Sequence, residues 1–246
     1  AAAAAGGGGA GAGSSFGVPA AGKVPSSTAH AHQPPPLQQL SEEMLDYYNQ
    51  IAEDIEDSKK RQEVFLRLDS VVKNRFPFAK LIVFGSCAVG LGSKKSDIDA
   101  CVVMKDCPEL GALKEEHGED DYKRFVLSEI SKELEDEKSG WEVLKTLLDI
   151  RIPLIKCTDK TTKLEADISF SNAVMHEAKT QLLRKFSQSH ALVRVLILTV
   201  KYWSGQRKIR DSFMLNSYAW TLLTIQFLQV KMPFIFQPNQ DQNVKM

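Results

Sequence analysis

The chain lacks the features that would place it in a lipid bilayer or knit it together with disulfides. Among its 246 residues no stretch is long and apolar enough to be a transmembrane span. Its four cysteines, Cys87, Cys101, Cys107 and Cys157, form no CxxC pair, and its five histidines form no HxxxH spacing. The usual zinc patterns are therefore missing, and four reduced thiols in a cytosolic or nuclear protein is the expected state. The first 39 residues lack charge, with Lys23 alone, and have few large apolar side chains. AAAAAGGGGAGAGSS and VPSSTAHAHQPPPLQQ carry neither the arginines of a transit peptide nor the long apolar run of a signal peptide. Such a composition cannot offset the entropy of ordering, so a disordered arm is expected over 1–39.

Net charge is absent overall, but not locally. From Ser41 to Ser171 there are 20 lysines and arginines against 28 aspartates and glutamates, a net of −8, whereas Asn172 to Met246 has 10 against 3, a net of +7. An acidic half followed by a basic half suits metal ions on one side and a polyanion on the other. It also fits solvated helix faces of opposite sign, so charge alone does not decide.

Hydrophobic periodicity divides the rest. Ser41 is placed to cap a helix with apolar positions at Leu45, Tyr48, Ala52 and Ile55, and a second helix runs through Val64, Leu68, Val71 and Val72 to end before Pro77. The period then changes. KLIVFGS and DIDACVVM read as neighbouring strands joined by the loop CAVGLGSKKS, and residues 106–121 as an exposed insertion. YKRFVLSEISKELEDE is an amphipathic helix, while WEVLKTLLD, IRIPLIKCT and LEADISF complete the sheet. After Asn172 three helical stretches follow, with the stripe Leu222, Leu223, Ile225, Phe227 and Leu228 assigned to packing and His176 and His190 given no partner. Strands first and helices afterwards define an α+β chain feeding a helical segment.

Asp97 and Asp99 carry the chemistry. Alternate residues of a strand face the same way, so the two carboxylates project together while Ile98 turns inward. Like charges so close repel unless a cation lies between them, and a few carboxylate oxygens with open positions for water and phosphate suit magnesium. Asp167, on the apolar strand LEADISF, is a third acid that an adjacent strand could bring beside the pair. Gly85 permits close backbone approach, and Ser86 adds a hydroxyl and an amide for gripping phosphate.

This pattern of strand, Gly-Ser, ten residues, Asp-x-Asp and a distant third aspartate resembles the DNA-polymerase-β-like nucleotidyltransferases. Within them it is most similar to noncanonical poly(A) polymerases and terminal uridylyltransferases, a likeness over most of residues 41–236 that includes VKYW around Lys201 and NSYAW around Ser217 and Tyr218. The resemblance implies a small mixed-sheet palm over 76–171, preceded by helices over 40–75 and followed by an all-helical poly(A)-polymerase-type domain over 172–246. It further implies template-independent addition of AMP or UMP, from ATP or UTP, to an RNA 3′ hydroxyl. Two Mg2+ (or Mn2+) ions would be held by Asp97, Asp99 and Asp167, and Gly85, Ser86 and Lys201 would bind the triphosphate. Ser217 would contact phosphate and Tyr218 would stack on the base, which cannot by itself choose adenine from uracil.

Two departures stand out. The family's Asn-Thr pair is replaced by Ala178 and Lys179, and its second lysine by Gly205, with Arg207 and Lys208 as the nearest substitutes. The chain begins with alanine and stops at QPNQDQNVKM, before the family's base-reading segment, so a fragment is expected. The competing reading is a catalytically weak RNA- or protein-binding scaffold of the same fold, and a small-molecule nucleotidyltransferase is a third. A cytoplasmic address is expected, with the nucleus as the alternative, and the arm is the place for protein partners.

Overall fold

The computed structural model describes residues 35–104, 108–170, 173–211 and 214–236. The expected arm lies outside the described residues except for 35–39, which are helical: α1 runs Pro35–Ile51. Proline suits that first turn because its missing N–H would have no partner there. Ser41 sits within α1 rather than capping it, its hydroxyl donating back to the Leu37 carbonyl (2.9 Å). The true break comes at Ala52 to Asp54. Asp54 and Asp57 form a reciprocal capping box that starts α2, Ile55–Arg75.

Strand β1 (Ala79–Phe84) leads into a single helical turn, α3 (Gly85–Ala88), and a loop to β2 (Ile98–Met104). The expected insertion is helical instead, as α4 (Pro108–His117). It is followed by α5 (Glu119–Glu135), whose start is favoured by Glu119, Asp120 and Asp121 at the positive end of the helix dipole. Strands β3 (Trp141–Leu147), β4 (Leu154–Asp159) and β5 (Glu165–Ser169) complete a five-stranded sheet ordered β1-β2-β5-β4-β3. All neighbours are antiparallel except β2 and β5, so the sheet is mixed. The turn into β5 is held by Asp159, which accepts from the backbone N–H and hydroxyl of Thr162.

The helices α2 and α5 cover one face of the sheet. Val64, Leu68, Val72, Val126, Leu127, Ile130 and Leu134 meet Leu81, Ile98, Ile155 and Ile168 in a core from which water is excluded. Beyond the sheet come α6 (Ala173–Ser189), α7 (Ala191–Gln206), α8 (Ser217–Lys231) and a short 3-10 turn at Pro233–Phe236. They share a smaller core of Leu183, Val193, Ile197, Ile225 and Leu228 with Val89 and Leu91 from the loop after α3. The two N-terminal helices part company: α2 belongs to the sheet, whereas α1 packs through Tyr48 on Val195 and Leu198 of α7. Of the stripe assigned to packing on α8, Ile225 and Leu228 are buried, but Leu223 and Phe227 are 51% and 54% exposed.

Candidate active site

Asp99 and Asp167 lie directly opposite each other across the parallel β2–β5 pair, and Ala100 and Ile168 follow them in register. Parallel pairing places both on the same face at the same height, which is why residues 68 positions apart in the chain converge. Asp97 precedes β2 rather than lying on it, as the last residue of the loop. Its carbonyl accepts from the Cys87 thiol (3.2 Å), and its carboxylate still joins the other two. A ligand atom from each of the three half-buried aspartates lies within 4.8 Å of the others. The repulsion is visible in Asp99: burial first, then the Asp97 and Asp167 carboxylates, push its pKa up to about 7. Three oxygens so close, with one lysine, Lys156, paired to Asp167 beside them, form a donor set for a hard divalent cation.

Lys156 was missed by sequence reasoning. It faces Asp167 across the antiparallel β4–β5 pair and forms an ion pair with it. Burial pulls the lysine pKa down, but Asp167 outweighs it and the net shift is upward. A lysine set within the apolar run LIKC was the available signal.

Gly85 has φ +73°, and a Cβ there would overlap the Asp99 carboxyl group. The glycine therefore makes room for the acid itself as well as for any ligand. Ser86 follows in α3, and its carbonyl accepts from the Leu91 N–H (2.9 Å), folding the loop back over the sheet edge.

These groups open onto a cleft of about 550 Å³ between sheet and helices. Gly85, Ser86, Asp97 and Asp99 line one wall; Lys201, Ser217 and Tyr218 line the other. Seven of the eight residues singled out from the sequence thus share one cavity, and Asp167 joins through the aspartate cluster. The Lys201 ammonium makes one long bond, to the Leu91 carbonyl (3.4 Å), and no ion pair among the described residues. Burial and then Arg210 push its pKa down.

Arg210, not Arg207 or Lys208, accompanies Lys201 in the cleft. A Cβ on Gly205 would come within 2.9 Å of an Arg210 guanidinium nitrogen, so the small residue in the second lysine's place leaves space for the arginine. The segment carrying Arg210 is pinned by the Ile209 N–H on the Ser204 carbonyl and the Trp220 indole on the Ile209 carbonyl. Lys179, at the other departure, places its ammonium 5.6 Å from the Tyr218 ring centre.

The two histidines have partners after all. His176 stacks at 3.9 Å on Phe84, the residue opposite Asp99 on β1, and burial lowers its pKa. His190 caps α7, its Nδ1 accepting from the Leu192 N–H. Cys87, Cys101 and Cys157 are buried and in no disulfide, and burial pushes Cys87 and Cys157 up to about 12, so neither of those two is a nucleophile at neutral pH. Cys107 lies outside the described residues.

The loop between α3 and β2 is anchored from below by Arg61 on α2, which is 1% exposed. Its guanidinium donates to the carbonyls of Ser93 (2.8 Å), Lys94 (3.2 Å) and Ser96, and its Nε pairs with Glu53 (3.1 Å). Arg61 sits one turn before Val64 and Phe65 on the buried stripe of α2, and a charge in that stripe was the signal for it.

A mixed sheet presenting three aspartates from a parallel strand pair and its leading loop to a cleft with unpaired cations opposite defines a nucleotidyltransferase palm. The chain belongs to the family of the poly(A) RNA polymerase, mitochondrial-like, central palm domain, whose family model matches residues 40–188. It is 28% identical over 192 residues to poly(A) RNA polymerase GLD2 of Homo sapiens, covering 77% of this chain and 39% of that protein, and 29% identical to GLD2 of Danio rerio over the same length. Among solved structures it is similar to the Cid1 poly(U) polymerase with MgGTP bound (TM-score 0.65, 26% identity, 80% of this chain and 58% of that one). A cytoplasmic RNA terminal U-transferase gives a TM-score of 0.63 at 27% identity, covering 80% and 55%. The chain thus spans about two fifths of the length of these curated relatives.

Proposed function

We propose that the protein is a template-independent RNA 3′-end nucleotidyltransferase, adding AMP or UMP from ATP or UTP. The observation that carries this is the Asp97–Asp99–Asp167 cluster facing Lys201 and Arg210 across one cleft. Three acids offset by a single paired lysine, Lys156, and two cations with no ion-pair partner among the described residues are together the two halves of a metal–triphosphate site. The names of the relatives, poly(A) and poly(U) polymerases, support the same reading.

The donor set fits magnesium or manganese, held by Asp97 and Asp99 with Asp167 completing a second position. Bound there, two such ions would neutralise triphosphate charge and stabilise the entering and leaving oxygens. The chain's own groups do the positioning. Ser86, Lys201, Arg210 and Ser217 bind phosphate oxygens, and the exposed part of the Tyr218 ring supports the base. With an RNA 3′ end laid against Asp167, that carboxylate accepts the proton of the terminal hydroxyl. The 3′ oxygen forms a bond to the α-phosphorus as the bond from α-phosphorus to the β-bridging oxygen breaks, and pyrophosphate leaves.

The test is primer extension of a labelled RNA with magnesium and each ribonucleoside triphosphate in turn. Extension with ATP or UTP supports the enzyme and identifies its base. Failure with all four, in folded protein that spans the length of its relatives, leaves the scaffold reading instead.

A further inference from the structure

Behind Lys201 and Arg210 lies a second chamber of about 390 Å³, opposite in character to the first. Its far wall is Tyr47 from α1 with Tyr202 and Gln206 from α7; its near wall, shared with the cleft, is Lys201, Arg210, Ser93 and Ser96. Asp97 and Asp99 border the cleft only, and among the described residues no carboxylate lines the rear chamber. Hydroxyl and amide donors around two cations, with no acid to compete, make an environment for a phosphate anion.

The wall groups are held in place before any ligand arrives. Tyr47 and Tyr202 pack ring to ring at 4.4 Å, and α1 is fixed to α7 one residue further on by Tyr48 against Val195 and Leu198. Burial, then Tyr202, raises the Tyr47 pKa, which keeps its hydroxyl a donor at neutral pH. Neither Lys201 nor Arg210 has an ion-pair partner among the described residues, and both stand in the shared wall, bordering the two chambers at once.

We propose that the rear chamber is a subsite for inorganic pyrophosphate, the leaving group of nucleotide transfer, reached from the catalytic cleft past Lys201 and Arg210. The inference rests on the proposed function for the source of its ligand. Once the α–β phosphoanhydride bond has broken, the free diphosphate faces the carboxylates of the cleft. The chamber behind offers it the same two cations without those acids. No covalent step occurs there; the anion keeps the two cations, now from their other side, and exchanges the carboxylates of the cleft for the donors of Tyr47, Tyr202 and Gln206.

The experiment is calorimetric titration of inorganic pyrophosphate, in magnesium buffer, into protein saturated with a triphosphate analogue that cannot be cleaved between its α and β phosphates. Pyrophosphate is expected to bind the nucleotide-loaded protein. The double variant Tyr47→Phe, Gln206→Leu should weaken that binding about fivefold or more, while leaving analogue affinity and the melting midpoint unchanged. The single variant Tyr202→Phe serves as a second reading if the double variant melts early. Three results overturn the subsite: pyrophosphate that binds only when the analogue is absent, variants that leave it unaffected, or variants that weaken the analogue equally, which would make the chamber part of the triphosphate site. Binding needs no turnover, so failed primer extension with intact pyrophosphate binding removes the enzyme reading alone. Successful extension with strictly competitive pyrophosphate removes the subsite alone.

Discussion

Arg61 donates through its guanidinium to the carbonyl of Ser96, the residue immediately before Asp97, from a position 35 residues earlier in the chain. A helix on the sheet's covered face thereby sets the height of a loop on its catalytic edge. Ser93 and Lys94 are held by the same side chain, beside a backbone bridge in which the Lys94 N–H donates to the Ile51 carbonyl (3.0 Å).

Arg61→Met should therefore destabilise the protein by about 3–5 kcal/mol, because it leaves Glu53 buried without its counter-charge. Chemical denaturation measures this, and the double variant Arg61→Met, Glu53→Leu should recover a large part of the loss. Equal instability in single and double variants would show that the loop carbonyls, not the glutamate, carry the effect.

Asp99 has a pKa raised from its ordinary 3.8 to about 7, so the folded chain holds a proton that the unfolded chain has released between those values. Its contribution to stability is complete below about pH 4 and is lost as pH rises through 7. A divalent cation replaces that proton. The rise in melting midpoint on adding magnesium should be larger at pH 8 than at pH 5.5, and Asp99→Asn should flatten the difference.

Asp99→Ala removes a metal ligand and relieves repulsion in one change, so the fold should survive while nucleotide addition falls by roughly a hundredfold or more. Gly85→Ala should damage the same centre indirectly, since its Cβ overlaps the Asp99 carboxyl group and its φ of +73° disfavours a side chain. Primer extension with both variants checks this; full activity in either one would remove Asp99 from the metal site.

Arg210→Ala should raise the KM for the triphosphate about tenfold, with a smaller change in kcat, as expected for a charged hydrogen-bond donor to phosphate. Gly205→Ala should act in the same direction by crowding the guanidinium. Steady-state kinetics of the two variants tests whether they share one cause.

The strands and the aspartates were legible because both depend on short-range pattern. Alternation of apolar residues marks β2 and β5, and acids within such runs have few structural explanations. What stayed hidden depends on distant pairing. Arg61 reads as a surface charge until its stripe is traced around α2, and Lys156 until β4 is set beside β5. Arg210 gave way in expectation to Arg207 and Lys208 because those two lie nearer in sequence to Gly205. The chain leaves α7 at Gln206, and the turn that follows, with Lys208 at φ 54°, carries Arg210 back to the cleft. The helix α4 within the exposed insertion stayed hidden because glycine, proline and an acidic run mark that segment as an insertion without specifying its backbone. Ser41 was read as a cap because the helix it sits in starts earlier, at Pro35.

The sheet order has a kinetic corollary. β5 is the last in sequence of the five described strands, yet it takes a central place, between β2 and β4. The β1–β2 and β3–β4 pairs can each form from nearer segments, but Asp167 reaches Asp99 only when β5 closes the gap between them, a long-range and slow event. A partly folded chain thus carries the acids separately and has no competent centre. The aspartate cluster is assembled by the same strand insertion that joins the two halves of the sheet.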